Sequence, residues 1–256
     1  MRLWELESAL GELEAVFENG KIELEQYPTS AHLAARIVHV ADSTFDDIQN
    51  KNIVDLGTGT AVLACACALS GAGHVLGIDI DVDALAMAEK NREKINAQDT
   101  IDFVCADIHK SLPLQTKRAH TCIQNPPFGT RLKGADVIFV KAAIASVTCA
   151  VYSLHKTSTR DFILANANNW GAKGGAAVLA ELVFDIPKLY DFHTKQSADI
   201  RVDLIRFDVD GTSPSVHHPL PPPASSQRGN QSRDHKGRGG RGGHRGHIRN
   251  GRSKKK

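Results

Sequence analysis

No stretch of this 256-residue chain is both long and apolar enough to cross a bilayer without interruption. The nearest approach, residues 61–78, is broken by Ser70, Gly71, Gly73 and His74, and reads as a buried helix followed by a buried strand. Residues 1–11 carry acids where a secretory leader needs an apolar core, so no such leader is expected there. Cysteine is scarce: five residues, an odd number without framework spacing, which excludes a disulfide scaffold and points to a reducing compartment. Cys65 and Cys67 lie two apart on a predicted helix with no second pair, so no metal site is expected. Aromatic residues make up 5% of the chain and none follows Phe207.

Nor does one sign of charge dominate overall, since the net charge is +2, but that balance hides a division. Residues 211–256 hold eleven Lys/Arg against one acid, Asp234, for +10, while residues 1–210 hold twenty Lys/Arg against twenty-eight Asp/Glu, for −8. The basic end includes the arginine–glycine run 238–243 and lacks the apolar surface that offsets ordering entropy. It therefore reads as a disordered tail over 210–256, behind a folded domain over 1–209. Flexible arginines of this kind contact phosphates without sequence preference, or serve only to solubilise and target the chain.

Within the domain, apolar periodicity predicts a helix through Leu3, Leu6, Leu10 and Leu13, and a second one capped by Thr29 or Ser30. Short strands and helices then alternate. Strands are expected at 53–56, 74–79, 101–106, 121–124 and 150–153, with helices at 61–70, 82–96, 136–147 and 159–170. Two final strands follow, 176–186 and 200–209, with no helix between them, so an antiparallel pairing is expected. The apolar parity of the last strand flips at Ile205, which predicts a bulge. The whole is an α/β, Rossmann-like, doubly wound sheet of seven strands, mostly parallel with an antiparallel terminal strand. Such sheets bind ligands at the carboxyl ends of their strands, near the switch point.

Three of those strand ends carry acids. The first runs into Asp55-Leu56-Gly57-Thr58-Gly59-Thr60, whose glycines permit positive φ and close backbone approach. Asp79 ends the second strand about twenty residues past the glycines, where a carboxylate accepts ribose hydroxyls. Asp107 follows the third, where it can accept from an adenine amino group. The loop has neither the Lys-Ser/Thr of a phosphate loop nor the third glycine of a dinucleotide fingerprint. Acids at each strand end repel a pyrophosphate and suit a cationic nucleoside. S-adenosylmethionine, a sulfonium and an ammonium without phosphate, fits best.

The fourth strand runs into Asn125-Pro126-Pro127-Phe128. Two prolines stiffen the backbone and force the preceding residue to be extended. The Asn125 amide oxygen and the Pro126 carbonyl then form a fixed pair of acceptors for the two hydrogens of an exocyclic amine, drawing its nitrogen toward tetrahedral geometry. Phe128 is expected to stack on the base. No general base is required, since the ammonium product loses a proton readily. His155 is accordingly expected to be structural or to face RNA. Residues 1–127 sum to −9 and 128–210 to +1, so RNA is expected to approach over the second half, with Arg131, Lys133, Lys156 and Arg160 on phosphates.

These motifs, with Glu25-Gln26-Tyr27-Pro28-Thr29, Tyr152-Ser153-Leu154-His155-Lys156 and Val202-Asp203-Leu204-Ile205-Arg206-Phe207, resemble the methyltransferase-like protein 5 family over residues 1–209. The resemblance implies methyl transfer from S-adenosylmethionine to N6 of an adenosine in 18S ribosomal RNA. It implies that Gln26 and Thr29 contact the cofactor from the N-terminal segment, that Gly57, Thr60 and Val62 line the loop beneath it, and that residues 125–128 are catalytic. It also implies a small zinc-binding activator subunit as partner, and a nuclear, nucleolar and cytoplasmic location without a membrane anchor. The family's third loop glycine is Ala61 here, and its usual loop cysteines are Thr58 and Thr60. Methylation of a protein glutamine amide, and a non-catalytic RNA-binding scaffold, are the alternatives. The intact Asn125, Asp79 and Asp107 count against the scaffold.

Overall fold

A computed structural model describes residues 1–18, 20–110, 117–187 and 197–211. The expected tail, arginine–glycine run included, lies from residue 212 onward outside the described residues. In chain order the main elements are α1 (Leu3–Leu10), α2 (Ala31–Phe45), β1 (Asn52–Leu56), α3 (Val62–Leu69), β2 (His74–Asp79), α4 (Val82–Lys94), β3 (Ile101–Cys105), β4 (Ala119–Gln124), α5 (Ala135–Ser146), β5 (Val147–Lys156), α6 (Arg160–Asn166), β6 (Gly175–Pro187) and β7 (Ser197–Asp208). Ser30 caps α2, its hydroxyl accepting from the Leu33 N–H at 3.2 Å.

The seven strands form one sheet in the order β3-β2-β1-β4-β5-β7-β6. The first five in that order run parallel, and β7 is antiparallel to both β5 and β6. β1 feeds β2 on one side and abuts β4 on the other, so the strand order reverses between β1 and β4. That reversal opens the crevice in which the candidate site lies. Alternate residues of β1 serve two cores: Ile53 packs with α1–α4, and Val54 and Leu56 pack with α5 and α6. Covering the sheet on both faces is what lets its strands read as continuous apolar runs.

Two expectations about the second half need correction. The bulge is not on β7. Register shifts on β6, where Val178 opposes Ile205 and Ala180 opposes Leu204, leaving Leu179 as the extra residue. β7 is an interior strand buried on both faces, so Val202 and Leu204 serve one core while Ile205 and Phe207 serve the other. The parity flip marks a change of covered face, not a break in the strand. The helix expected over 159–170 is α6 alone, flanked by single 3-10 turns at Thr157–Thr159 and Asn168–Trp170. Polar side chains there compete for the backbone: Thr159 Oγ1 donates to the Lys156 carbonyl at 2.8 Å, and Gly171 at φ +109° ends the segment.

Arg206 explains one charged position of the last strand. Its guanidinium donates to Asp47 Oδ2 at 3.0 Å and to the Tyr152 hydroxyl at 3.0 Å, and that hydroxyl donates to Asp47 at 2.6 Å. All three are buried, so β5, β7 and the segment after α2 are joined by a closed polar network. Cys65 and Cys67 are both fully buried in α3.

Candidate active site

At the carboxyl ends of β1, β2 and β4 lies a cleft of about 390 Å³, within the range of small-ligand sites. Its floor is the loop after β1. Gly57 and Gly59 both have positive φ, +69° and +55°. A Cβ on Gly57 would stand 3.0 Å from the Phe139 ring, and one on Gly59 3.0 Å from the Phe17 ring, so a side chain at either would strain the backbone and push on a ring. Ala61 also takes a left-handed conformation, φ +64°, as the N-cap of α3. The loop thus keeps the shape a third glycine would give it, at a cost of about 1–2 kcal/mol in backbone strain. Ala61→Gly is expected to raise the melting temperature by a few degrees without altering ligand affinity; a lower melting temperature in a thermal scan would refute the strain.

Asp55 does not line the cleft. It is 1% exposed, and its Oδ2 accepts from Thr58 Oγ1 at 2.7 Å and from the Ala64 N–H at 3.1 Å, tying the loop to the first turn of α3. Its other oxygen has no hydrogen-bond partner among the described residues. The expected ligand contact from Asp55 is therefore replaced by a bracing role. Burial pushes its carboxyl up to about 7, aided by the nearby Asp79 charge and opposed by the two donors. The native protein then holds a proton that the unfolded chain has lost, so stability falls as pH rises from the ordinary carboxylate range to about 7, and levels off above. Asp55→Asn keeps one oxygen for both donors and removes the charge. Its melting temperature should gain on the wild type across that window and by a constant margin above it; a difference independent of pH would refute the assignment.

Asp79, at the end of β2, lines the cleft. It accepts from the Gly59 N–H at 2.8 Å and the Asp81 N–H at 2.9 Å. Burial raises its pKa against the pull of those amides, and the Asp81 charge adds to the rise. Asp107 lines the opposite wall beside Ala106, Ile108 and His109. Burial works to raise its pKa too, but the His109 N–H at 2.9 Å and the Lys110 ammonium outweigh it and hold the carboxyl low.

The N-terminal segment roofs the cleft with Phe17 and residues 23–29. Gln26 locks it down: its carbonyl accepts from the Lys21 N–H at 2.7 Å and its amide nitrogen donates to Asp81 at 2.7 Å. The Lys21 ammonium pairs with Asp81 and, at 2.8 Å, with Asp83, which raises its pKa. Phe17, Lys21 and Asp81 were not legible as site residues, because partners sixty residues apart leave no local pattern. Phe139 sits on a helix whose apolar spacing signals core alone.

Asn125, Pro127 and Thr29 also line the cleft, as do Thr60 and Val62, both buried at the end of the floor loop. The Asn125 amide nitrogen donates to Thr29 Oγ1 at 3.0 Å, which leaves its oxygen as the free acceptor. Thr29 thus acts on Asn125 in addition to facing the cleft. Pro126 and Phe128 do not line it. Phe128 is 7% exposed and packs into the core under α1–α4, so the expected stacking on a base is not made by this ring in this structure. Leu132, more than half exposed on the following loop, and Tyr27 are the apolar groups at the mouth. On that loop Arg131 and Lys133 are exposed. Arg160, expected on phosphates, is committed to Asp203 at 2.6 Å and Glu181 at 2.9 Å.

The floor of glycines, the buried carboxylate at the end of β2 and the acid after β3 fit an adenosyl group without a phosphate. The oriented Asn125 amide fits an amine beside it. The family model described as "Methyltransferase small domain" matches residues 37–150. The chain is 48% identical to rRNA N(6)-adenosine-methyltransferase METTL5 of Danio rerio over 208 residues, which span 81% of this chain and 99% of that protein. It is 39% identical to rRNA N(6)-adenosine-methyltransferase Mettl5 of Drosophila melanogaster over 195 residues, 75% of this chain and 90% of that one. The crystal structure of PH1948 from Pyrococcus horikoshii superimposes with a TM-score of 0.69 at 31% identity, covering 82% of this chain and 98% of that chain. Identity of this extent, over 81% of this chain and 99% of the zebrafish protein, places the chain in the family of rRNA N(6)-adenosine-methyltransferases.

Proposed function

We infer that this protein transfers a methyl group from S-adenosylmethionine to N6 of an adenosine in small-subunit ribosomal RNA. The observation that carries the reading is the Thr29–Asn125 hydrogen bond, which engages the amide nitrogen and keeps the oxygen of this cleft-lining residue available as an acceptor. Bound S-adenosylmethionine supplies an electrophilic methyl group on a sulfonium. The chain supplies position and electrostatics. Asp79 receives ribose hydroxyls and Asp107 the adenine amino group. The Lys21–Asp81–Gln26 lock holds the roof closed and excludes water. Asn125 Oδ1, which belongs to a residue lining the cleft, takes a hydrogen of the target amine, holds its nitrogen in line and stabilises the positive charge that develops on it. No side chain has to remove a proton before transfer.

The exposed Arg131 and Lys133 and the basic tail are proposed to meet RNA phosphates, which the acidic first half would repel. A small zinc-binding activator subunit is the proposed protein partner. β3 ends the sheet, and so offers main-chain groups to another chain. The substrate implies the nucleolus and the cytoplasm as compartments. Labelled S-adenosylmethionine incubated with total RNA, with and without the activator, tests the reading. Label is expected in small-subunit rRNA as N6-methyladenosine; label confined to protein glutamine, or absent in both arms, would overturn it.

A further inference from the structure

His155 belongs to a sequence motif that the cofactor and the acceptor amide leave unexplained. It is 1% exposed and does not face RNA. It is the middle of a buried chain of polar groups directly behind the catalytic turn. Gln124, the residue before Asn125, donates through Nε2 to Ser153 Oγ at 2.9 Å, and Ser153 Oγ lies 2.7 Å from His155 Nε2. On the other side of the ring, His155 Nδ1 stands 3.9 Å from Asp136 Oδ2. Asp136 is the second residue of α5, and a Cβ on Gly129 would lie 3.3 Å from its other carboxylate oxygen. The carboxylate therefore backs the loop that follows Phe128 and carries Arg131, Leu132 and Lys133.

The proton positions follow from the partners on the two sides of the ring, with the Asp136 carboxylate beside Nδ1 deciding the tautomer. Ser153 receives the Gln124 N–H, so its own hydrogen is available to His155 Nε2. Burial holds the imidazole pKa below its ordinary value, against the pull of Asp136 and Asp203, so the ring carries one proton. Asp203 is itself engaged by Arg160 and Thr157. With Nε2 accepting, the proton sits on Nδ1 and points at Asp136. The opposite tautomer would set a lone pair against a carboxylate. Every donor thus runs one way, from Gln124 through Ser153 and His155 toward Asp136, and only the last link is too long for a hydrogen bond. His155 Nδ1 and Gln124 Oε1 are both buried without a partner among the described residues, which costs about 1–3 kcal/mol each until they find one.

We propose that His155 is a positioning residue, whose Nδ1–H closes onto Asp136 when the target base enters and so fixes the loop 129–134 against the strand end that carries Asn125. The proposal rests on the methyl transfer inferred above for its kinetic consequences, but not for its proton assignment. Ring-nitrogen NMR of the full chain reads the latter without turnover, with His155→Asn identifying the signal. A neutral ring protonated at Nδ1 is expected; protonation at Nε2, or a charged ring, overturns the proposal. In methyl transfer at saturating cofactor and RNA, His155→Phe and Asp136→Ser should each lower kcat by about ten-fold or more. Cofactor affinity should stay unchanged, and the double variant should be no worse than either single one. His155→Asn, whose amide nitrogen falls near Nδ1, should recover part of the loss. If His155→Phe does not fold, Asp136→Ser in the first turn of α5 carries the test. A kcat equal to that of the wild type, or losses that multiply in the double variant, would sink it. A wild-type protein without methyl transfer would instead refute the functional reading, leaving the NMR result to decide this one.

Discussion

Asn125→Ala is expected to lower kcat by about two to three orders of magnitude and to leave affinity for S-adenosylmethionine unchanged. The separation follows from where the side chain is attached. Asn125 is held by Thr29 at the mouth, while the adenosyl contacts come from the ends of β1, β2 and β3. In the proposed mechanism its oxygen meets the target amine and not the cofactor, and the charge it would stabilise exists in full only during transfer. An interaction made in the transition state lowers kcat and kcat/KM together when it is removed. Asn125→Asp tests the same point differently. It keeps the oxygen, and the Thr29 hydroxyl can reverse its role and donate to the new carboxylate, so the side chain stays in place but carries a charge that costs desolvation in the cleft, and a partial loss is expected. Cofactor binding by calorimetry, beside single-turnover methyl transfer, measures both quantities. Wild-type turnover in Asn125→Ala would remove the Asn125 oxygen from the mechanism.

What was legible in the sequence is what local chemistry determines. The acids at or near the carboxyl ends of β1, β2 and β3 fall in register because parallel strands joined by short crossovers end on one edge. Asp79 and Asp107 therefore reach the cleft from sequence spacing alone. Asp55 was legible as a strand-end acid but not as a brace, because its donors, Thr58 and Ala64, are fixed by the loop's fold. Phe128 shows the opposite limit. The prolines fix the backbone, but the direction of the next ring is set by tertiary packing, and here the core under α1–α4 takes it. The roof was legible only through resemblance. Lys21 reaches Asp81 and Glu14 reaches Asn91 across sixty to eighty residues, and no periodicity encodes such pairs. His155 likewise looked like a surface or generic structural residue until β5 proved to run through the interior, where a polar side chain requires partners on both sides.

Asp79→Ala should act on the other quantity, weakening S-adenosylmethionine by about a hundred- to a thousand-fold while leaving kcat measurable at saturation. Two effects combine. A carboxylate accepting two hydroxyls contributes about 1.5–3 kcal/mol per charged hydrogen bond. The same carboxylate accepts the Gly59 N–H, so its loss also frees the glycine loop that forms the floor. Asp79→Asn separates the two: the amide oxygen can still take the Gly59 N–H, but the charge is gone, so the loop should hold and affinity should fall less than in the alanine variant. The pH dependence carries the sign of the same argument. Burial raises the Asp79 pKa, and the ionised form is the one that accepts both hydroxyls, so cofactor affinity should fall as pH drops through a range above that of an ordinary carboxylate. That fall should vanish in Asp79→Asn. Affinity measured against pH for the two proteins decides it, because a dependence shared equally by both would assign the proton to another group, with Asp55 behind the same loop as the next acid to test.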